Sequence, residues 1–113
     1  MRIEVDAKLV TVFVSSTKQW HGRPLYSAIV QLAQDTGVAG ATVVRCSEGY
    51  GAGGQVHHGR LLELSENLPV RVEIIDLPAR VEPLLTDLAA MIGEGLVTVN
   101  DVHVLQFRPD AKA

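Results

Sequence analysis

A glycine-rich segment in the middle of the chain holds the residues best suited to binding chemistry. Four glycines fall within six residues, at positions 49, 51, 53 and 54, between an apolar β-branched run and His57–His58. Glycine permits positive φ and close approach to the main chain, so such a loop can turn backbone N–H groups toward an anion. It could instead be a mobile arm, or a connection without a role. We expect a functional loop, because a polar insertion between two strands adds little to a core.

Other reactive side chains lack the partners that catalysis needs. The serines at positions 15, 16 and 47 have no evident base, and the glutamates at 48, 63 and 66 have no paired carboxylate at a recognisable spacing. Cys46 is the single cysteine, which excludes an intramolecular disulfide, and we expect it to be a small apolar residue at a strand end. The sequence therefore predicts a protein that is not an enzyme.

Histidine offers metal binding as an alternative chemistry. Adjacent side chains on an extended chain point to opposite faces, so His57 and His58 cannot both bind one metal without a turn. His21 and His103 could join such a site, but no spaced His/Asp/Glu motif supports it. We therefore assign no metal ligands.

Length and composition describe a single ordinary globular domain. The chain has 113 residues, of which 47% are hydrophobic and 20% charged. We predict one domain over residues 1–113, with an ordered core at about 8–107 and a frayed tail at 108–113. A net charge of −3 argues against nucleic-acid binding. Early charges at Glu4, Asp6 and Lys8, with no apolar run of membrane-spanning length, predict a cytoplasmic protein.

Hydrophobic periodicity predicts the elements that position the glycine-rich loop. Strands are expected at residues 8–14, 41–47 and 70–75, and a last strand or pair at 96–107 with a turn at Asn100–Asp101. Residues 60–64 can form a further strand that continues out of the glycine-rich loop. Helices are expected at 24–36, ended by Gly37, and from Asp76 as N-cap through Pro78 to Gly93.

The element order β-α-β-β-α-β predicts an α+β fold. The economical arrangement places two helices on one face of a four-stranded antiparallel sheet, which is the ferredoxin-like topology. Apolar residues such as Phe13, Val44 and Ile75 then remain for the other face. An apolar second face on so small a protein is best covered by further copies, so we expect a homotrimer with three sheets facing inward.

Several motifs resemble one family. They are WHGRPLY at residues 20–26, GATVVR at 40–45, EGYG at 48–51, LSENLPV at 64–70 and MIGEGLVT at 91–98. Together they are similar to the uncharacterised PII-like proteins, a "domain of unknown function" group related to nitrogen-regulatory PII signal-transduction proteins. The resemblance covers about residues 9–107. It implies a ferredoxin-like trimer and a ligand-responsive regulator.

The same resemblance implies a ligand site. In PII proteins a long T-loop follows the second strand, and nucleotide binds in clefts between subunits. The T-loop base is similar to residues 49–51 here, and the B-loop after helix two is similar to residues 93–95. PII proteins carry a basic residue in the B-loop where this chain has Glu94, so Arg45 or Arg108 is expected to supply the positive charge. The candidate ligand-binding residues are Arg45, Gly49, Tyr50, Gly51, Gly93, Glu94, Gly95 and Arg108.

Two functions follow from these features. The first is a trimeric regulator that senses a small anionic ligand, an adenine nucleotide being the candidate, and acts through its loop on a partner protein such as a membrane transporter. The second is a structural or metal-binding trimer that binds no nucleotide.

Overall fold

The computed structural model describes residues 1–49, 57–58 and 68–110. No helix in that part of the chain is long and apolar enough to cross a membrane. The elements, in chain order, are β1 (Arg2–Ser15), β2 (Gln19–Trp20), β3 (Arg23–Pro24), α1 (Leu25–Thr36), β4 (Gly40–Arg45), β5 (Glu48–Gly49), β6 (His57–His58), β7 (Pro69–Asp76), α2 (Pro78–Ile92) and β8 (Leu96–Phe107).

Four strands form one antiparallel sheet in the order β4–β7–β1–β8. Both helices pack on the same face of this sheet and share one core with β1 and β7. With the first strand lying between the third and fourth main strands, the topology is ferredoxin-like. The fold predicted from the sequence is confirmed. The predicted strand at 60–64 lies outside the described residues.

The core lies between the sheet and the helices. Val70, Val72 and Ile74 alternate along β7 and are fully buried, as their period-two pattern predicts. Each buried aliphatic side chain of this kind contributes about 1.5–3 kcal/mol. The other main core residues come from β1 and both helices: Val10, Val12, Val14, Leu25, Ile29, Ala33, Val81, Leu84, Leu88 and Ile92.

The helix ends agree with the sequence at three positions and differ at one. Helix α1 follows Pro24, and Gly37 ends it in the left-handed conformation at φ 77°. Gly93 follows the last residue of α2, also as predicted. The predicted N-cap of α2 at Asp76 is wrong, because Leu77 holds that place. Asp76 instead ends β7, paired with Lys8, and its carboxylate accepts the Leu77 N–H at 2.8 Å.

The terminal strands are longer than predicted. Strand β1 begins at Arg2, and β8 runs unbroken through Asn100 and Asp101, so the turn predicted there is wrong. The reason is tertiary: β1 is long enough to pair with β8 along its whole length, and the Lys8 ammonium binds the Asp101 carboxylate across the pair. Strand β7 ends opposite Lys8, so residues 2–7 of β1 and 102–107 of β8 continue as a two-stranded extension. We call this extension the terminal ribbon.

The sheet face opposite the helices carries apolar side chains. Phe13 lies on that face beside its partner Leu96, whose surface is 61% exposed, and Ile75 is also exposed. Thr11 precedes Phe13 by two residues on β1, so it lies on the same face, and it is buried. The apolar second face that motivated the trimer hypothesis is therefore present in the structure.

Candidate functional site

Strand directions bring the candidate residues to one end of the sheet. Strands β1 and β4 are both antiparallel to β7, so their carboxyl ends lie together. Helix α2 returns alongside the sheet and ends there too, since residue 95 approaches the carbonyl of Phe13 near the end of β1. We call this region the loop end. It contains Lys18, Arg45, Glu48–Gly49 and the turn at residues 93–95.

Two of the candidate groups lie at opposite edges of the loop end. Arg45 pairs with Val70, and Val70 pairs with Val14, so β4 is separated from β8 by two intervening strands. Three strand spacings give about 14 Å between Arg45 and the start of β8. The structure therefore brings Arg45 and the turn at 93–95 to the same end of one chain, but not into contact across the sheet.

Arg45 is held in place by an aromatic side chain. Its Nη2 donates a hydrogen bond to the Tyr26 hydroxyl at 3.1 Å, and its Cζ lies 5.6 Å from the centroid of the Tyr26 ring. The Arg45 side chain is otherwise exposed at the end of β4. Guanidinium has five donors, so this arrangement leaves it able to bind a carboxylate or phosphate. Sequence reasoning did not single out Tyr26 as a contact, although it belongs to the first of the matching motifs.

The turn after α2 has a conformation that depends on glycine. Gly93 has φ 66°, and a Cβ on Gly95 would lie 2.7 Å from Ile92 Cγ2 and 3.2 Å from the Phe13 carbonyl oxygen. The Glu94 N–H donates to the Ile92 carbonyl at 2.7 Å, so it is used inside the turn. A helix carboxyl end also carries a partial negative charge. The turn therefore needs a cation nearby before it can attract an anion.

Lys18 supplies that cation. Its Nζ donates to the Ile92 carbonyl at 2.7 Å and to the Glu94 carbonyl at 3.2 Å, and the residue is half-buried. The positive charge that the sequence analysis sought in Arg45 or Arg108 thus has a source in another part of the chain. Sequence reasoning missed Lys18 because 74 positions separate it from Ile92. No local pattern reports such a contact.

Arg108 lies at the other end of the sheet. Its N–H donates to the Met1 carbonyl at 3.0 Å, at the tip of the terminal ribbon. Thirteen residue-to-residue steps along the extended chain lead from Met1 to Val14, which corresponds to about 44 Å. Within one chain Arg108 is therefore remote from the turn at 93–95. Its predicted role in binding would need a second copy.

The base of the glycine-rich loop is a short strand pair. Glu48 pairs with His58 and Gly49 with His57, which brings the two sides of the loop together at the backbone. Tyr50 and Gly51 lie outside the described residues, and their predicted roles stay predictions.

The other two histidines lie in different regions of the protein. The His21 ring stacks on Trp20 with centroids 3.8 Å apart, in the turn between β2 and β3. His103 lies in the terminal ribbon, with Nδ1 2.9 Å from Asp6 and Nε2 3.2 Å from Glu4. These hydrogen bonds, the one to Asp6 first, raise the pKa of His103 above its usual value. Among the residues that the structure describes, no group of three or more His, Cys, Asp or Glu could hold a metal ion.

Sequence comparison identifies the family: the chain belongs to DUF190, described as "Uncharacterized ACR", which matches residues 7–104. A UPF0166 protein of Aquifex aeolicus is 35% identical over 93% of this chain and 98% of its own length. A second UPF0166 protein, from Methanocaldococcus jannaschii, is 31% identical over 88% of this chain and 93% of its own. The family predicted from the motifs is confirmed.

Solved structures with a similar fold are PII-like proteins. CPII from Thiomonas intermedia K12, bound to ADP, AMP and bicarbonate, superimposes with a TM-score of 0.64 at 21% identity, over 90% of this chain and 91% of CPII. A putative PII-like signaling protein from Thermus thermophilus gives a TM-score of 0.62 at 21% identity, over 91% of both chains. At this level of identity the similarity demonstrates the fold.

Proposed function

We propose that this protein is a trimeric, PII-like regulator that binds a small anionic ligand at the loop end and acts on a partner protein in the cytoplasm. The observation that carries the proposal is that two cationic side chains, Lys18 and Arg45, lie at the same end of the sheet as the base of the glycine-rich loop and the turn at 93–95. An adenine nucleotide is the favoured ligand, because CPII has a similar fold and a structure of it is bound to ADP, AMP and bicarbonate. A membrane transporter is one candidate for the partner.

A trimer would complete the site. Arg45 lies at the β4 edge of the sheet and the turn at 93–95 at the β8 edge, so one chain cannot close both around a small ligand. A closed ring of three chains would bring the β4 edge of one copy near the β8 edge of the next if the sheets face inward. The apolar face that includes Phe13 and Leu96 would then point inward. Light scattering is expected to give about three times the chain mass of 12.2 kDa, and a monomer would contradict the proposal.

Calorimetry with ADP tests the ligand. Gly49→Val is expected to abolish binding by blocking close approach to the backbone, while the trimer and its melting temperature change little. Arg45→Ala should weaken binding by about 1.5–3 kcal/mol, the value of a hydrogen bond to a charged group. If both variants bind ADP as the wild type does, the ligand lies elsewhere. If the wild type binds no nucleotide, the structural or metal-binding trimer becomes the better explanation.

A further inference from the structure

The ammonium of Lys18 donates hydrogen bonds to the carbonyls of Ile92, at the end of α2, and of Glu94, in the turn that follows. We propose that Lys18 binds the anionic oxygens of the ligand directly and that it decides the preference for charged over neutral ligands. This inference rests on the proposed ligand site at the loop end. It assigns to Lys18 the charge that Glu94 cannot provide.

Hydrogen-bond geometry leaves the ammonium able to bind a ligand. An ammonium group has three N–H bonds, and the bonds to the Ile92 and Glu94 carbonyls account for two of them. The third can donate to a phosphate or carboxylate oxygen. Both protein acceptors are neutral carbonyls, so the positive charge is not neutralised by them. Because Lys18 is half-buried, that charge acts through a lower effective dielectric than it would in bulk water.

The backbone holds Lys18 in position before any ligand arrives. The Lys18 N–H donates to the Ser15 carbonyl at 3.3 Å, and the Lys18 carbonyl accepts the N–H of Leu25, the first residue of α1, at 2.8 Å. Gly93 leaves room beside the ammonium, since a Cβ at that position would lie 3.9 Å from Nζ. The charge is thus preorganised, which lowers the entropic cost of binding.

Without Lys18 the turn would repel an anion. The carboxyl end of α2 carries a partial negative charge, and Glu94 adds a full one. Lys18 therefore supplies positive charge that an anion site at this turn needs.

Arg80 provides a matched control, because it makes the same kind of contact at the end of the other helix. Its Nη1 donates to the Gly37 carbonyl at 3.0 Å and to the Thr36 carbonyl at 3.4 Å, at the end of α1. Its Nε lies 4.0 Å from the carboxylate of the buried residue Asp76, which balances its charge. Replacing either residue removes a cationic contact with helix carbonyls. Only the Lys18 substitution removes charge from the proposed site.

The test is calorimetric titration of wild type, Lys18→Met, Lys18→Gln, Lys18→Arg and Arg80→Met with ADP and with uncharged adenosine. Lys18→Met should weaken ADP binding about 10- to 100-fold, the range for a charged hydrogen bond, and leave adenosine binding unchanged. Lys18→Gln keeps a donor for the carbonyls and should lose ADP affinity as well, so the result does not depend on the stability of one variant. Lys18→Arg should retain most of the affinity, and Arg80→Met should bind ADP as the wild type does.

Three results would overturn the inference. Wild-type ADP affinity in Lys18→Met would show that Lys18 does not touch the ligand. Equal losses for ADP and adenosine, or an equal loss in Arg80→Met, would show that the effect acts through the fold. Failure of the wild type to bind ADP would refute the proposed nucleotide ligand and with it this role, and it is distinguished from the other two results because the wild type itself fails.

Discussion

The loop end and the terminal ribbon are built partly from the same strand, β1, yet they differ in nearly every physical property. At the loop end β1 lies under both helices, and Val12 and Val14 are buried. In the ribbon β1 has only β8 as a partner, and Leu105 and Phe107 are 44% and 71% exposed. Cover by the helices therefore divides this sheet into a packed part and an exposed part.

The loop end and the terminal ribbon also differ in where their charged side chains lie. Lys18 and Arg45 place positive charge beside the glycine turns of the loop end. The ribbon instead has Glu4 and Asp6 around the ring of His103. The difference is one of local placement, because the loop end also carries Glu94 and the ribbon also carries Arg2, whose guanidinium lies 3.4 Å from the Glu4 carboxylate.

The largest expected effect is a difference in stability between two leucine variants, one in helix α2 and one in the terminal ribbon. Leu88→Ala removes a buried side chain of α2 and should lower the free energy of unfolding by about 2–5 kcal/mol. Leu105→Ala changes an exposed ribbon residue and should change that free energy by less than about 0.5 kcal/mol. Urea unfolding at one protein concentration measures both. Equal losses would mean that the ribbon is packed as tightly as the core, as it would be against another copy.

The next largest effect is the loss of stability expected when Gly95, in the turn after α2, is replaced. Gly95→Ala places a Cβ 2.7 Å from Ile92 Cγ2 and 3.2 Å from a backbone carbonyl, which should cost about 1–3 kcal/mol of stability. Gly40→Ala is the control, because a Cβ there meets nothing within 4 Å. Thermal unfolding of the two variants should separate them clearly. A fully stable Gly95→Ala protein would show that the turn adapts more easily than its contacts suggest.

A smaller effect is expected from the acidic residue of the same turn. Glu94→Gln removes a negative charge from the proposed anion site and should tighten ADP binding about two- to fivefold, the size of an exposed charge interaction. Glu82→Gln, on the exposed surface of α2, removes an equal charge away from the turn and should leave the affinity unchanged. Calorimetry compares the two. Weaker binding in Glu94→Gln would mean that the carboxylate itself contacts the ligand.

The smallest effect concerns the ribbon and pH. Hydrogen bonds to Asp6 and Glu4 raise the pKa of His103 in the folded protein above its ordinary value of 6.5. The stabilising contribution of protonated His103 is therefore complete below pH 6.5 and is lost as the pH rises through the folded pKa. His103→Gln should remove this pH dependence, while His21→Gln, in the turn between β2 and β3, should keep it. Urea unfolding at pH values below and above the pKa of His103 compares the two variants. An NMR titration that shows an ordinary pKa for His103 would contradict the prediction.

Local sequence patterns determined the elements of this protein. The alternation of Val70, Val72 and Ile74 predicted β7, because successive side chains of a strand point to opposite faces. Only one face of β7 packs against the helices, and these three residues lie on it. Gly37 ends α1 because the left-handed backbone conformation costs glycine less than any residue with a Cβ. The order of elements then left few topologies, so the fold class followed from the sequence together with the family motifs.

Tertiary structure alone decided the contacts that span the chain. Asn100 and Asp101 carry a local turn signal, yet pairing with Leu9 and Lys8 keeps them in a strand because backbone hydrogen bonds along β1 outweigh that preference. Lys18 reaches the end of α2 only because antiparallel strands return the chain to the same end of the sheet. Periodicity describes neighbours within one element, whereas the charge of a site depends on residues that folding brings together from distant positions.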